Sequence, residues 1–176
     1  MNTFVQIELF NSSERVNYYT VRYLNGNYEG QEFSEAEKFL NRFNDKSHVY
    51  YEEFATILKL VQIIGENGAL DHYFRKERLA VALPSYRGKV EEIQIVKDSQ
   101  LRWYMMVVSE SIVVLFNGGV KTVRGAEFCP QVGPYFNAAN SFCKMIEEYI
   151  LKEDIIVSTS QLISGYRDDE DIILYL

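Results

Sequence analysis

The sequence predicts an α+β fold: an N-terminal strand hairpin, a helical hairpin, an antiparallel β meander and a C-terminal helix. Three observations carry this reading. Apolar residues recur at three-and-four spacing over 35–43, 49–64 and 134–151, the period of a helix face. Residues of high strand propensity crowd the runs 4–10, 16–24, 79–83, 91–96, 101–108 and 111–116. The order of these runs, strands, then helices, then strands, then a helix, predicts helices gathered on one side of a sheet.

The first hairpin is Phe4-Val5-Gln6-Ile7-Glu8-Leu9-Phe10 and Val16 to Leu24, joined through the turn signal Asn11-Ser12-Ser13. Asn25-Gly26-Asn27 and Gly30 break the strand pattern. Ser34 followed three residues on by Glu37 has capping-box spacing and starts a helix over 35–43. Tyr50, Phe54, Ile57, Leu58, Val61 and Ile64 form the apolar face of a second helix, ended by Gly65 and Gly68. The short connection makes the two helices an antiparallel pair. The strongest strands, 101–108 and 111–116, flank Ser109-Glu110 and are expected to pair across that turn, with Val120 to Val123 extending the second past a bulge. A third helix follows Pro134, with Phe136, Ala139, Phe142, Cys143, Ile146 and Ile150 inward. Residues 152–176 read as a tail, in which the acids Asp168 to Asp171 precede the apolar tip Ile172 to Leu176.

The chain has 176 residues, enough for one domain with a real core. Its two cysteines and its N-terminus, which has no basic region followed by an apolar run, predict neither a disulfide scaffold nor a signal peptide. No run suits a membrane span, so the expectation is a cytoplasmic protein that does not bind membrane. The formal charge of -7 argues against a protein whose whole surface neutralises phosphate. The charge is uneven. Between Asp71 and Arg124 nine Lys or Arg face six acids, a net of +3, which points to a localised anionic partner.

His48 and His72 stand alone, without Cys or His at ligand spacing, so no metal and no cofactor are expected. Gly118-Gly119 lacks the Lys-Ser/Thr of a phosphate loop. Cys129, beside Pro130, is expected nearer the surface, and Cys143 in the core. A cationic constellation remains. Antiparallel pairing of the two strongest strands brings Arg102 close to Asn117–Lys121, with Arg124 just beyond. Arg75 and Arg78 precede a neighbouring strand, and Tyr135 opens the last helix near the same edge. Cations and a phenol without a metal are parts of a metal-independent ribonuclease, which needs a base for the ribose 2′-OH and positive charge for the phosphorane. The ordinary alternative is that strand-end Arg and Lys reach into water and do nothing more.

The runs Leu101-Arg102-Trp103-Tyr104 and Ser111 to Thr122, with its Asn117-Gly118-Gly119-Val120-Lys121, resemble the RelE/HigB class of toxins from toxin–antitoxin systems. There a strand with an Arg and aromatics precedes an apolar strand ending in Gly and Lys, then a closing helix. Gly68 to Arg75 and Ala82-Leu83-Pro84 resemble a phage- and plasmid-associated branch. The resemblance spans about 34–150 and leaves the first strand pair, 1–30, and the tail, 152–176, outside it. It implies a RelE-like core and an mRNA endonuclease acting on the ribosome, neutralised by an antitoxin protein.

By position, the resemblance makes Arg102 the stabiliser of transition-state charge and Lys121 a phosphate contact or proton-transfer group. Arg124 becomes a second phosphate contact, and Tyr135 the base or a stacking partner. Trp103 and Tyr104 would stack on a base, although strand alternation sends one of them to the core. Arg75 and Arg78 join the RNA-binding set. The chain departs from the class in its net acidity and in lacking a counterpart of the HigB-type histidine.

Two other readings stand beside this one. One is a non-catalytic module that binds a protein or self-associates, its tail adding a strand to an exposed edge. The other keeps the scaffold and turns it on DNA gyrase, as ParE-type relatives do. The acidic tail folding over the basic patch is a further expectation.

Overall fold

The computed structural model describes residues 3–167 and 170–176. It is mixed α and β, with one seven-stranded sheet. β1 (Phe4–Ser12) and β2 (Asn17–Leu24) form the expected hairpin. α1 (Glu35–Phe43) and α2 (Tyr51–Asn67) follow. Ser34 and Glu37 close a capping box: Glu37 Oε2 accepts from the Ser34 N–H at 2.7 Å, and Ser34 Oγ accepts from the Glu37 N–H at 3.4 Å. β3 (Arg75–Glu77), β4 (Ala80–Leu83), β7 (Leu101–Ser109) and β8 (Ile112–Val120) complete one half of the sheet. Between β4 and β7 the chain makes a separate small hairpin, β5 (Lys89–Val90) with β6 (Ile93–Gln94). After α3 (Gly133–Leu151) come a second small hairpin, β9 (Ile155–Val157) with β10 (Leu162–Ser164), and β11 (Ile172–Tyr175).

The sheet order is β11-β1-β2-β8-β7-β4-β3. All its pairings are antiparallel except β2 with β8, which are parallel. A parallel pair needs a long connection, and here α1, α2 and the strands up to β7 supply it. Thr20 ties the junction together. Its hydroxyl donates to the Leu115 carbonyl at 3.0 Å and accepts from the Ala36 N–H at 3.1 Å, joining β2, β8 and α1.

The expectation of helices on one side is corrected: they cover both faces. α1 and α2 bury Phe39, Phe54, Ile57 and Leu60 against Trp103, Met105, Val113 and Leu115. α3 buries Phe136, Phe142 and Ile146 against Tyr104, Met106, Val114 and Phe116 on the opposite face. The reason is visible in β7 and β8, which are apolar at consecutive positions; a strand open to water on one face alternates instead.

Three smaller expectations also shift. The run 91–96 contributes only the two-residue β6 and stays outside the main sheet. β8 ends at Val120, so 121–123 is not an extension of it. The described part of the tail does not lie over the basic patch. Ile172–Tyr175 pair with β1 at the far edge, where Gln6 Nε2 donates to Asp171 Oδ1 at 2.9 Å. Asp168 and Asp169 lie outside the described residues. No helix among the described residues is long and apolar enough to cross a membrane.

Candidate functional site

The site is built at the end of the sheet where β7 begins and β8 ends. Arg102 stands opposite Gly119, as the pairing of the two runs implies. The strands approach closely here because Gly118 has no side chain: a Cβ on it would collide with the Arg102 carbonyl. Past the strand end the Lys121 N–H donates to the Gln100 carbonyl at 2.8 Å, holding segment 98–102 beside 121–124. A shallow cavity of about 480 Å³ opens between them, lined by Asp98, Ser99, Arg102, Lys121, Thr122 and Arg124. Three of the expected site residues therefore meet in one place.

Arg102 is 7% exposed. Its Nη1 donates to the Ser99 and Leu101 carbonyls, both at 2.8 Å, while its buried Nε has no partner. Burial first, and then the charge of Arg75, bring its guanidinium down to about 10. At neutral pH it is still a cation, so it holds negative charge and does not accept a proton. Among the described residues, Arg102, Lys121 and Arg124 make no ion pair. Asp98 is the one carboxylate among the residues lining this cavity.

The other expected residues lie elsewhere. Tyr135 does not line this cavity. Its ring packs on Gly119, and the Arg42 guanidinium sits 4.8 Å from the ring centre. Arg42 in turn donates to the Gly118 carbonyl at 2.8 Å and to Asn117 Oδ1 at 2.9 Å. Tyr135 thus belongs to an adjoining hollow shared with Glu35, Lys38 and Asn117. Arg78 is exposed and paired with Glu127 at 3.2 Å.

Trp103 and Tyr104 do take opposite faces, but both faces are covered, so neither ring is open to a base. Trp103 stacks on Phe39 with centroids 4.7 Å apart and donates Nε1–H to the Phe116 carbonyl at 2.8 Å. Tyr104 meets Phe136 edge-on at 5.9 Å, and burial pushes its phenol up, away from any use as a base near neutral pH. Both aromatics position the strand that carries Arg102.

Cys129 is buried, not exposed. Burial pushes its thiol up, but hydrogen bonds from Thr122 and the backbone N–H groups of Val132 and Gln131 outweigh that and bring it down to about 6. Among the described residues no group of three or more His, Cys, Asp or Glu is arranged to hold a metal ion.

Arg42 and Asp98 are the residues of this region that the sequence reading missed. Arg42 lies in the last turn of α1 and Asp98 in the loop before β7, and neither belongs to a motif. Asp98 precedes Arg102 by four residues, and segment 98–101 sets both against the same cavity. Comparison of the chain with protein-family models, curated proteins and solved structures gives no significant match.

Proposed function

We propose that the chain is a RelE/HigB-like toxin, a metal-independent endoribonuclease of ribosome-bound mRNA that an antitoxin protein neutralises. The observation that carries this reading is the buried Arg102, which makes no ion pair among the described residues and faces one cavity with Lys121 and Arg124. Burying a charge without an ion-pair partner is costly, and a phosphate in the cavity supplies the missing counter-charge. The α+β class of the chain, with helices, paired strands and a further helix in that order through 34–150, supports the reading at the level of fold class alone.

In the reaction the ribose 2′-oxygen attacks the adjacent phosphorus and the P–O5′ bond breaks, leaving a 2′,3′-cyclic phosphate and a 5′-hydroxyl. Asp98 takes the 2′-OH proton, and Lys121 gives a proton to the departing 5′-oxygen. Arg102 and Arg124 hold the charge that builds on the phosphoryl oxygens. Tyr135 stays outside this scheme, because Arg42 and Gly119 hold it in the adjoining hollow.

Induced expression in a bacterial host tests the proposal. Wild type should arrest growth, and Arg102→Ala/Lys121→Ala, expressed and folded, should not. Normal growth with abundant folded wild-type protein would sink it.

A second reading, a non-catalytic interaction module, has its own support. Leu151, Ile156, Val157 and Ile163 are exposed apolar side chains at the α3 end and the β9–β10 hairpin. Such a patch suits a protein partner. Normal growth together with a stoichiometric protein partner would favour this reading.

A further inference from the structure

Beside the Arg102–Lys121–Arg124 cavity lies a second one, of about 540 Å³. It is bounded by the turn after Pro84, residues 94–99 and the guanidiniums of Arg75 and Arg102. The two cavities share Asp98, Ser99 and Arg102. Arg75, Arg87, Lys97 and Arg102 line the second one against a single carboxylate, Asp98.

Arg75, like Arg102, is 7% exposed. Its Nε donates to the Pro84 carbonyl at 2.6 Å and its Nη2 to the Ser85 carbonyl at 3.2 Å. Arg75 and Arg102 are thus two neighbouring buried cations whose hydrogen-bond partners are carbonyls, with no ion pair among the described residues. Glu77 on β3 offsets part of their charge at a distance, but its buried Oε1 has no hydrogen-bond partner. No carboxylate among the described residues pairs directly with either guanidinium, and the cavity is where an anion has access to them.

Tyr86 adds a second feature. It is 74% exposed, yet the Arg75 guanidinium lies 4.1 Å from its ring centre. A pinned arginine therefore backs one ring face and leaves the other to solvent. A large aromatic held flat at the mouth of a cationic cavity is a platform for a planar ring.

We infer that this second cavity is a nucleotide subsite, in which a base stacks on the open face of Tyr86 and its phosphate sits among Arg87, Lys97 and Arg102. The inference rests on the RNA-binding reading of the adjoining cavity and extends it. One RNA strand then crosses the end of β7, from Tyr86 on one side of Arg102 to Arg124 on the other.

The test is equilibrium binding of a fluorescein-labelled hexauridylate to the full chain, read by anisotropy at several salt concentrations. Tyr86→Ala should weaken binding about ten-fold, the scale of one lost base stack, while Tyr86→Phe binds as wild type does. Arg87→Ala/Lys97→Ala should weaken binding and flatten its salt dependence, since each lost phosphate contact removes roughly one unit of salt slope. Thermal melts check that each variant is folded. Unchanged affinity in folded Tyr86→Ala would overturn the base platform. Inorganic phosphate displacing the probe as well as uridine monophosphate does would reduce the subsite to an anion hole and overturn the nucleotide assignment. No binding by wild type would overturn the subsite outright. Intact, Tyr86-dependent binding without growth arrest keeps the subsite and removes only the ribonuclease reading.

Discussion

Glu53 Oε2 accepts the Leu101 backbone N–H at 2.7 Å, fastening α2 to the first residue of β7. The same oxygen accepts from the Gln100 N–H and the Ser99 hydroxyl, both at 2.8 Å. One carboxylate therefore holds the turn whose carbonyls, Ser99 and Leu101, anchor the Arg102 guanidinium. Glu53→Ala leaves these donors unpaired and should lower the unfolding free energy by about 1.5–3 kcal/mol, as for hydrogen bonds to a charged group. Urea denaturation measures it. Glu53→Gln keeps an acceptor and should lose less; equal losses would show that the accepting oxygen is not what matters.

Gly118 and Gly119 sit side by side on β8 but face different neighbours. A Cβ at Gly118 would run into the Arg102 backbone carbonyl, whereas one at Gly119 would meet the edge of the Tyr135 ring at 3.0 Å and the Gln131 carbonyl only at 3.2 Å. A backbone cannot yield as a ring edge can. Gly118→Ala should therefore cost about 1–3 kcal/mol and displace Arg102, and Gly119→Ala less. Thermal melts of the two variants decide the order.

The single tryptophan, Trp103, is 1% exposed and stacked on Phe39. Its fluorescence should be blue-shifted in the folded chain and resist acrylamide. Trp103→Ala should remove about 3–5 kcal/mol of stability. Ready quenching of the native protein would contradict the packing.

The two cysteines should titrate far apart. Burial pushes the Cys143 thiol up to about 12, while Cys129 is brought down to about 6. Thiolate ultraviolet absorbance should rise through about pH 6 and lose that step in Cys129→Ser. The unfolded thiol, at about 9, holds its proton to higher pH than the folded one does. The stabilisation from Cys129 is thus complete above the ordinary thiol value and is lost as pH falls through about 6. Wild type should gain stability relative to Cys129→Ser between those limits, and a parallel pH profile for the two proteins would contradict the hydrogen-bonded thiolate.

Much of the site was legible because it is local. The turn at Ser109-Glu110 sets the β7–β8 pairing, and that pairing brings Arg102 opposite Gly119 and near Lys121. Tyr86, Arg87, Lys97 and Asp98 were not legible as a group. They come from an excursion of the chain, 84–99, whose return to β7 depends on partners distant in sequence, such as Glu53. Tyr135 was expected at the right end of the sheet, but its side chain took Arg42 as a partner, from a helix about ninety residues earlier. No local pattern encodes that choice.

By itself the sequence determined the elements: the Ser34 cap, the helix faces, the first hairpin and the Arg102–Lys121 proximity follow from spacing and turn chemistry. Tertiary structure alone decided that β2 pairs in parallel with β8, that α3 covers the face opposite α1 and α2, and that β11 closes the β1 edge. The reason is physical. Helix periodicity and hairpin turns act over a few residues, whereas which strand lies beside which, and which face a helix covers, is settled by burying apolar surface contributed from the whole chain.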